Sequence, residues 1–202
     1  MIAFSNARNE RNMHEIFIFI YCQPLWCILL WILLLVLIWG YLAYREKNSL
    51  RWRVGNSLLF LGATAVVFYM TVYTRGESPS EAVLIPFQSF QEAKIQPELY
   101  RSMLMNVFLF VPLGLTLPFA LGGRKISVWI TIVAALTFSA GIEYLQYRYA
   151  LGRCEMDDII MNTLGASIGC ISHLLCRNWE RCVLPIVPLL KKTLRQIMKK
   201  RP

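Results

Sequence analysis

The feature that most restricts this chain is an uninterrupted apolar run over residues 25–44, which holds no charged side chain. The hydrocarbon core of a bilayer is ~30 Å thick and is crossed by ~20 consecutive apolar residues in a helix. A helix on the surface of a water-soluble domain needs only one apolar stripe, so a run this long predicts a membrane span. Four further runs reach or approach that length, at residues 57–73, 103–121, 126–145 and 159–176. These carry Pro, Gly, Thr, Asn or Glu, as do membrane helices that pack on protein rather than facing lipid. The expected fold is an all-α integral membrane protein of about five transmembrane helices. Pro24 marks either the start of the first span or a kink in one that begins at Ile16. A cleaved signal peptide fits less well. Its apolar region is ~7–15 residues long and leads into small residues, whereas here the longer run leads into Arg45, Glu46 and Lys47.

The formal net charge of +9 invites a nucleic-acid reading, but its distribution argues against one. The tail carries Arg177, Arg181, Lys191, Lys192, Arg195, Lys199, Lys200 and Arg201, opposed only by Glu180. In a multi-pass protein such a tail is first an anchor facing anionic headgroups. Apolar Leu190, Leu194, Ile197 and Met198 alternate there with the basic residues, which predicts a C-terminal basic amphipathic helix over 183–200 in the inner interface. Arg45, Lys47, Arg51 and Arg53 fall on the same side as the tail, as do Arg124 and Lys125. The other side holds half as many basic residues: Arg8, Arg11, Arg75, Lys94, Arg101, Arg148 and Arg153. The positive-inside rule then places the N-terminus outside and the C-terminus in the cytoplasm.

Three segments follow: residues 1–56 with the first span, a membrane domain at 57–176, and a basic cytoplasmic tail at 177–202. The longest connection, 74–102, contains the apolar stretch VLIPFQSF at 83–90 and a candidate short helix at 91–100. It reads as an interfacial or re-entrant segment, a strap packed over the bundle before it is a ligand contact. Cys22, Cys27, Cys170 and Cys176 lie in or near spans, Cys182 inside, and Cys154 in an external loop. The sequence shows no CxxC or Cys/His metal spacing, so it supports neither zinc nor a disulfide framework, and nothing in it implies a cofactor.

Polar groups inside a span are costly, ~2.5–3.5 kcal/mol for a central Asp, Lys or Arg on insertion scales. Here they cluster at the start of the third span (Asn106), the end of the fourth (Glu143, Gln146) and the start of the fifth (Asp157, Asp158, Asn162). Alternating topology brings those three helix ends to one side, the outside by the charge count. Glu143 and Gln146 share a helix face, and Asp158, Asn162, Gly165 and Gly169 form one helical stripe. Plainer roles stand beside a site. Asp157 can complement its own helix N-terminus, Pro112 and Pro118 can kink a helix, and Arg153 can neutralise Glu143 or Asp158. Gly165 and Gly169 form a GxxxG pattern whose default meaning is close helix packing, with self-association of two copies also open. For Glu143, buried structural pairing and function remain equal readings.

The set IPF at 85–87, N-x-x-x-F-x-P-x-G at 106–114, E-x-x-Q at 143–146 and D-D-x-x-x-N-x-x-G-x-x-x-G at 157–169 resembles the VanZ-like family. The likeness covers roughly residues 57–176. It implies a bacterial cytoplasmic-membrane protein, the founding member being associated with teicoplanin resistance. By the same resemblance Asn106, Glu143, Gln146, Asp158 and Asn162 are candidate ligand-binding residues, and Glu155 and Arg153 are added from the loosely spaced acidic segment.

The leading expectation is a non-enzymatic protein that confers or modulates resistance to teicoplanin-like glycopeptides. Its partners would be membrane lipids, and a lipoglycopeptide or lipid-linked cell-wall precursor, with no nucleic acid. A membrane enzyme acting on lipid headgroups is the second reading, because paired carboxylates can move protons. A lipid transporter is the third. Polar groups confined to one end, rather than the midplane, make alternating access less natural.

Overall fold

The computed structural model describes residues 24–46, 49–76, 78, 81–96 and 98–179. The proposed amphipathic helix at 183–200 lies outside the described residues.

Five helices are long and apolar enough to cross a membrane. They are α1 (Leu25–Glu46), α2 (Leu50–Phe68, prolonged by a π-helical turn at Tyr69–Tyr73), α4 (Glu98–Ala120), α5 (Lys125–Arg148) and α6 (Met156–Arg177). The protein is therefore a multi-pass, all-α membrane protein. The α1 helix begins directly after Pro24, as a residue that cannot continue a helix backwards would dictate. Ser49 caps α2, its Oγ accepting from the Trp52 amide at 3.2 Å.

Apolar content forms these helices, but the small residues arrange them. Along α1 only Ile28, Ile32, Val36, Gly40 and Ala43 are buried, one stripe at helical spacing, while Trp26, Leu29, Leu33 and Leu37 face outward. That stripe packs on α4 and α6, with Ile28, Ile32 and Val36 meeting Met103, Val107, Val111 and Met161. A second core joins Val67, Phe110, Leu113, Ala135, Ile142 and Ala166.

The α4 helix is central, with most of its apolar length buried, whereas α1 and α2 leave most of theirs exposed. It runs unbroken through Pro112 and Pro118. Its closest neighbour is α6. A Cβ at Gly165 would overlap the Val107 carbonyl, one at Gly169 the Val111 carbonyl, and one at Gly114 the Ala166 carbonyl. The GxxxG pattern is thus consumed inside the chain, where backbones approach too closely for any side chain.

The connection between α2 and α4 is a strap over one end of the bundle. Its strand β1 (Ala82–Val83) pairs in parallel with β2 (Cys154–Glu155), in the register Ala82 to Cys154 and Val83 to Glu155. A bridge between Ser78 and Leu151 continues that contact. The short helix expected at 91–100 is displaced: α3 is Gln88–Glu92, and residues from Glu98 onward already belong to α4. A carboxylate from α6 decides this by gathering the amides that open α3.

Candidate functional site

The start of α4, the end of α5 and the start of α6 meet under the strap. Glu143 is 2% exposed, and its Oε2 accepts the backbone N–H of Glu155 at 2.9 Å. Asp158 Oδ1 accepts from Asn106 Nδ2 at 2.6 Å. Three side chains from three spans thereby share one locality. The positive charge that reaches both carboxylates is Arg75, just beyond the π-helical turn of α2, while Glu155 adds negative charge near both. Gly152 makes room for it, since a Cβ there would lie 2.8 Å from Arg75 Nη1, and the Gly152 φ of 148° lies in the region that favours glycine. Sequence reasoning passed over Arg75. Its position at the end of a span, with a Tyr-rich turn before it, was the available signal.

The remaining candidates take other partners. Gln146 donates from Nε2 to the Thr71 carbonyl at 2.9 Å. That carbonyl lies in the last turn of the second span, where helical oxygens lack intrahelical partners and lipid supplies none. Asn162 lies a turn deeper and donates to Ser139 Oγ at 2.8 Å, bonding α6 to α5. The stripe read from Asp158 to Gly169 is therefore divided: its top joins α4, Asn162 joins α5, and its glycines face α4.

Arg153 pairs with neither Glu143 nor Asp158. Its guanidinium lies 3.7 Å from Glu81, 3.5 Å from Glu92 and 3.6 Å from Glu155, because the β-pairing carries it to the strap side of the loop. Burial works against the Arg153 charge, but Glu155, Glu92 and Glu81 outweigh it and hold its pKa above the ordinary arginine value. Half-exposed pairs of this kind contribute ~0–1 kcal/mol each, so the trio orients the strap more than it stabilises the fold.

Asp157 departs furthest from expectation. It does not cap its own helix. Its Oδ1 accepts the Phe87 amide at 2.5 Å and its Oδ2 the Ser89 amide at 2.8 Å, so it caps α3 across 70 residues of sequence separation. Ser89 Oγ donates to Glu155 Oε2 at 2.8 Å in support. The strap is fastened to the same helix end that carries Asp158.

The thiol in this locality is Cys154. Burial, then the charges of Glu143, Asp158 and Glu155, push its pKa above the ordinary thiol value. Only the thiolate reacts with maleimide, so at neutral pH Cys154 labels more slowly than a cysteine placed at exposed Gln96. Its rate keeps climbing with pH after the reference has levelled. Equal rates and equal pH profiles would contradict the crowding of carboxylates around it.

Among the described residues no group of three His, Cys, Asp or Glu side chains is placed to hold a metal ion. The described histidine, His173, sits at the opposite end, where its Nε2 lies 2.7 Å from the Gly123 carbonyl. What the site brings together is two acidic groups, Glu143 and Asp158, with the Glu155 backbone N–H and the Asn106 amide as donors beside them.

No solved structure matches the chain. A stretch of 70 residues is 31% identical to Protein VanZ of Enterococcus faecium, covering 35% of this chain and 42% of that relative. The matched stretch thus spans less than half the relative's length. A family model described as VanZ/LLP1 matches residues 26–177, which takes in the first span beyond the reach of the shared motifs. With most of its length under that model, and with all five spans but for Leu25 inside it, the chain belongs to the VanZ/LLP1 family.

Proposed function

We propose that this is a bacterial cytoplasmic-membrane protein that lowers susceptibility to teicoplanin-like lipoglycopeptides without catalysing a reaction. The observation that carries the reading is the meeting of Glu143, Asp158 and Asn106, from three different spans, at one end of the bundle. Intramembrane acidic groups are costly and mark functional sites by default. Here they would take the ammonium or hydroxyl groups of the drug, or of the lipid-linked wall precursor that the drug seeks. Asn106 would position Asp158, while Gln146 and Asn162 hold the helices that frame the site. The basic residues of the α1–α2 connection, the α4–α5 turn and the tail support an orientation with this end outside. A membrane-impermeant maleimide added to intact cells tests it by reaching Cys154. Protection of that thiol until the cells are opened would reverse the topology.

Expression in a teicoplanin-sensitive Gram-positive host is the direct test. We expect a raised inhibitory concentration with the native chain. The gain should be lost with Glu143→Gln or Asp158→Asn at equal membrane abundance. Unchanged susceptibility with the native chain present in the membrane would sink the proposal. An enzyme of the thiol type is disfavoured, because the thiol at this end is held protonated by burial and its acidic neighbours.

A further inference from the structure

The strap is amphipathic, and among the described residues its apolar side stays exposed. Leu84 is 60% exposed, Ile85 67% and Phe87 55%. The opposite side is fully engaged: Ser89 and Ala93 are buried, Ala82 and Val83 pair with Cys154 and Glu155, and Glu81 and Glu92 turn towards Arg153. Charge and apolar surface are thus sorted onto opposite sides of one short segment.

The exposure is held in place. Phe87 stands at φ 65°, the left-handed region that a bulky residue rarely enters. Its amide is kept there by buried Asp157, and its ring lies against Phe90, with centroids 5.9 Å apart. A solvated loop would gain nothing from fixing a phenylalanine outward. The surrounding helix ends carry exposed Tyr73, Tyr100, Tyr144 and Tyr149, the residue type that gathers where a membrane meets water. That set of tyrosines supports a position for the apolar tip at the level of an interface.

We propose that Leu84, Ile85 and Phe87 form an apolar wedge that enters the lipid leaflet on the strap side, seated among its headgroups and upper acyl chains. Interfacial elements of this composition sink ~5–10 Å into that boundary. The occupant is bilayer lipid, and the inference rests on the membrane fold alone, independent of any drug.

Photocrosslinking tests it with the full chain. p-Benzoylphenylalanine is placed by amber suppression at Ile85, at Phe87, or at exposed polar Gln96, and the protein is irradiated in host membranes and in phosphatidylethanolamine–phosphatidylglycerol nanodiscs. Ile85→p-benzoylphenylalanine keeps the result readable if the Phe87 variant misfolds. The expected product is a phospholipid adduct at Ile85 and Phe87, at least about threefold more abundant than at Gln96, as a segment lodged in the interface requires. A second protein as the main adduct would make the wedge a protein-docking surface and overturn the proposal. Adduct yields at Ile85 and Phe87 no higher than at Gln96 would place the strap in water and overturn it equally.

Discussion

Gly165→Val strongly destabilises the folded bundle. A Cβ at this position would run into the backbone carbonyl of Val107, and backbone cannot rotate away as a flexible side chain can. Overpacking a well-filled core costs typically 1–3 kcal/mol. Forcing apart the two helices that form the bundle's centre puts Gly165→Val at or beyond about 3 kcal/mol, against a total stability of roughly 5–15 kcal/mol. Gly114→Val should behave alike, because its Cβ would overlap the Ala166 carbonyl from the other helix. Gly62→Val is the control, since nothing lies within 4 Å of a Cβ there. The measurement is the yield of monodisperse protein and its thermal midpoint in detergent. A Gly165→Val variant that melts like the native chain would remove the α4–α6 contact from the account of the fold.

The second large effect is at Asp157. In Asp157→Ala two backbone amides, those of Phe87 and Ser89, lose their acceptor at a buried site. Hydrogen bonds to charged groups contribute ~1.5–3 kcal/mol each, and a buried donor left unmet carries a desolvation cost of similar size. Phe87 also keeps its left-handed backbone only while something holds it, at a cost of order 1–3 kcal/mol. We expect the strap to open locally by about 2–4 kcal/mol while the five spans stay folded, roughly a 30- to 1,000-fold loss of amide protection at Ser89. Hydrogen exchange on the detergent-solubilised protein reads this directly. Asp157→Asn should lose less, because one acceptor oxygen remains. Native-like protection at Ser89 in Asp157→Ala would mean that the β-pairing alone secures the strap.

The two variants separate two kinds of information. The glycine stripe was visible before any coordinates, because the spacing of Gly165 and Gly169 puts both on one helix face. What that face touches was not visible. A small-residue face fits a second copy as well as a neighbouring span, and only the placement of α4 resolves the choice. Asp157 shows the same limit from the other direction. An acidic residue in a first helical turn has a local role available, and local reasoning assigns it. The donors that claimed it lie on the strap, 70 and 68 residues earlier, and no periodicity records that. Arg153 and Gln146 likewise went to partners chosen by the chain's path through the strap and by the open carbonyls of the π-helical turn.

From the sequence alone came the five spans and the end of the bundle at which Asn106, Glu143 and Asp158 had to meet. Bilayer thickness sets span length, and alternating crossings set which helix ends are neighbours; both are properties of a chain in lipid, whatever its detailed packing. Tertiary structure alone decided the pairings: Asn106 with Asp158, Glu143 with the Glu155 amide, Asp157 with α3, and Arg153 with the strap. A hydrogen bond is settled within a few tenths of an ångström, and such distances follow from how helices pack and loops close, which the order of residues along one helix does not contain.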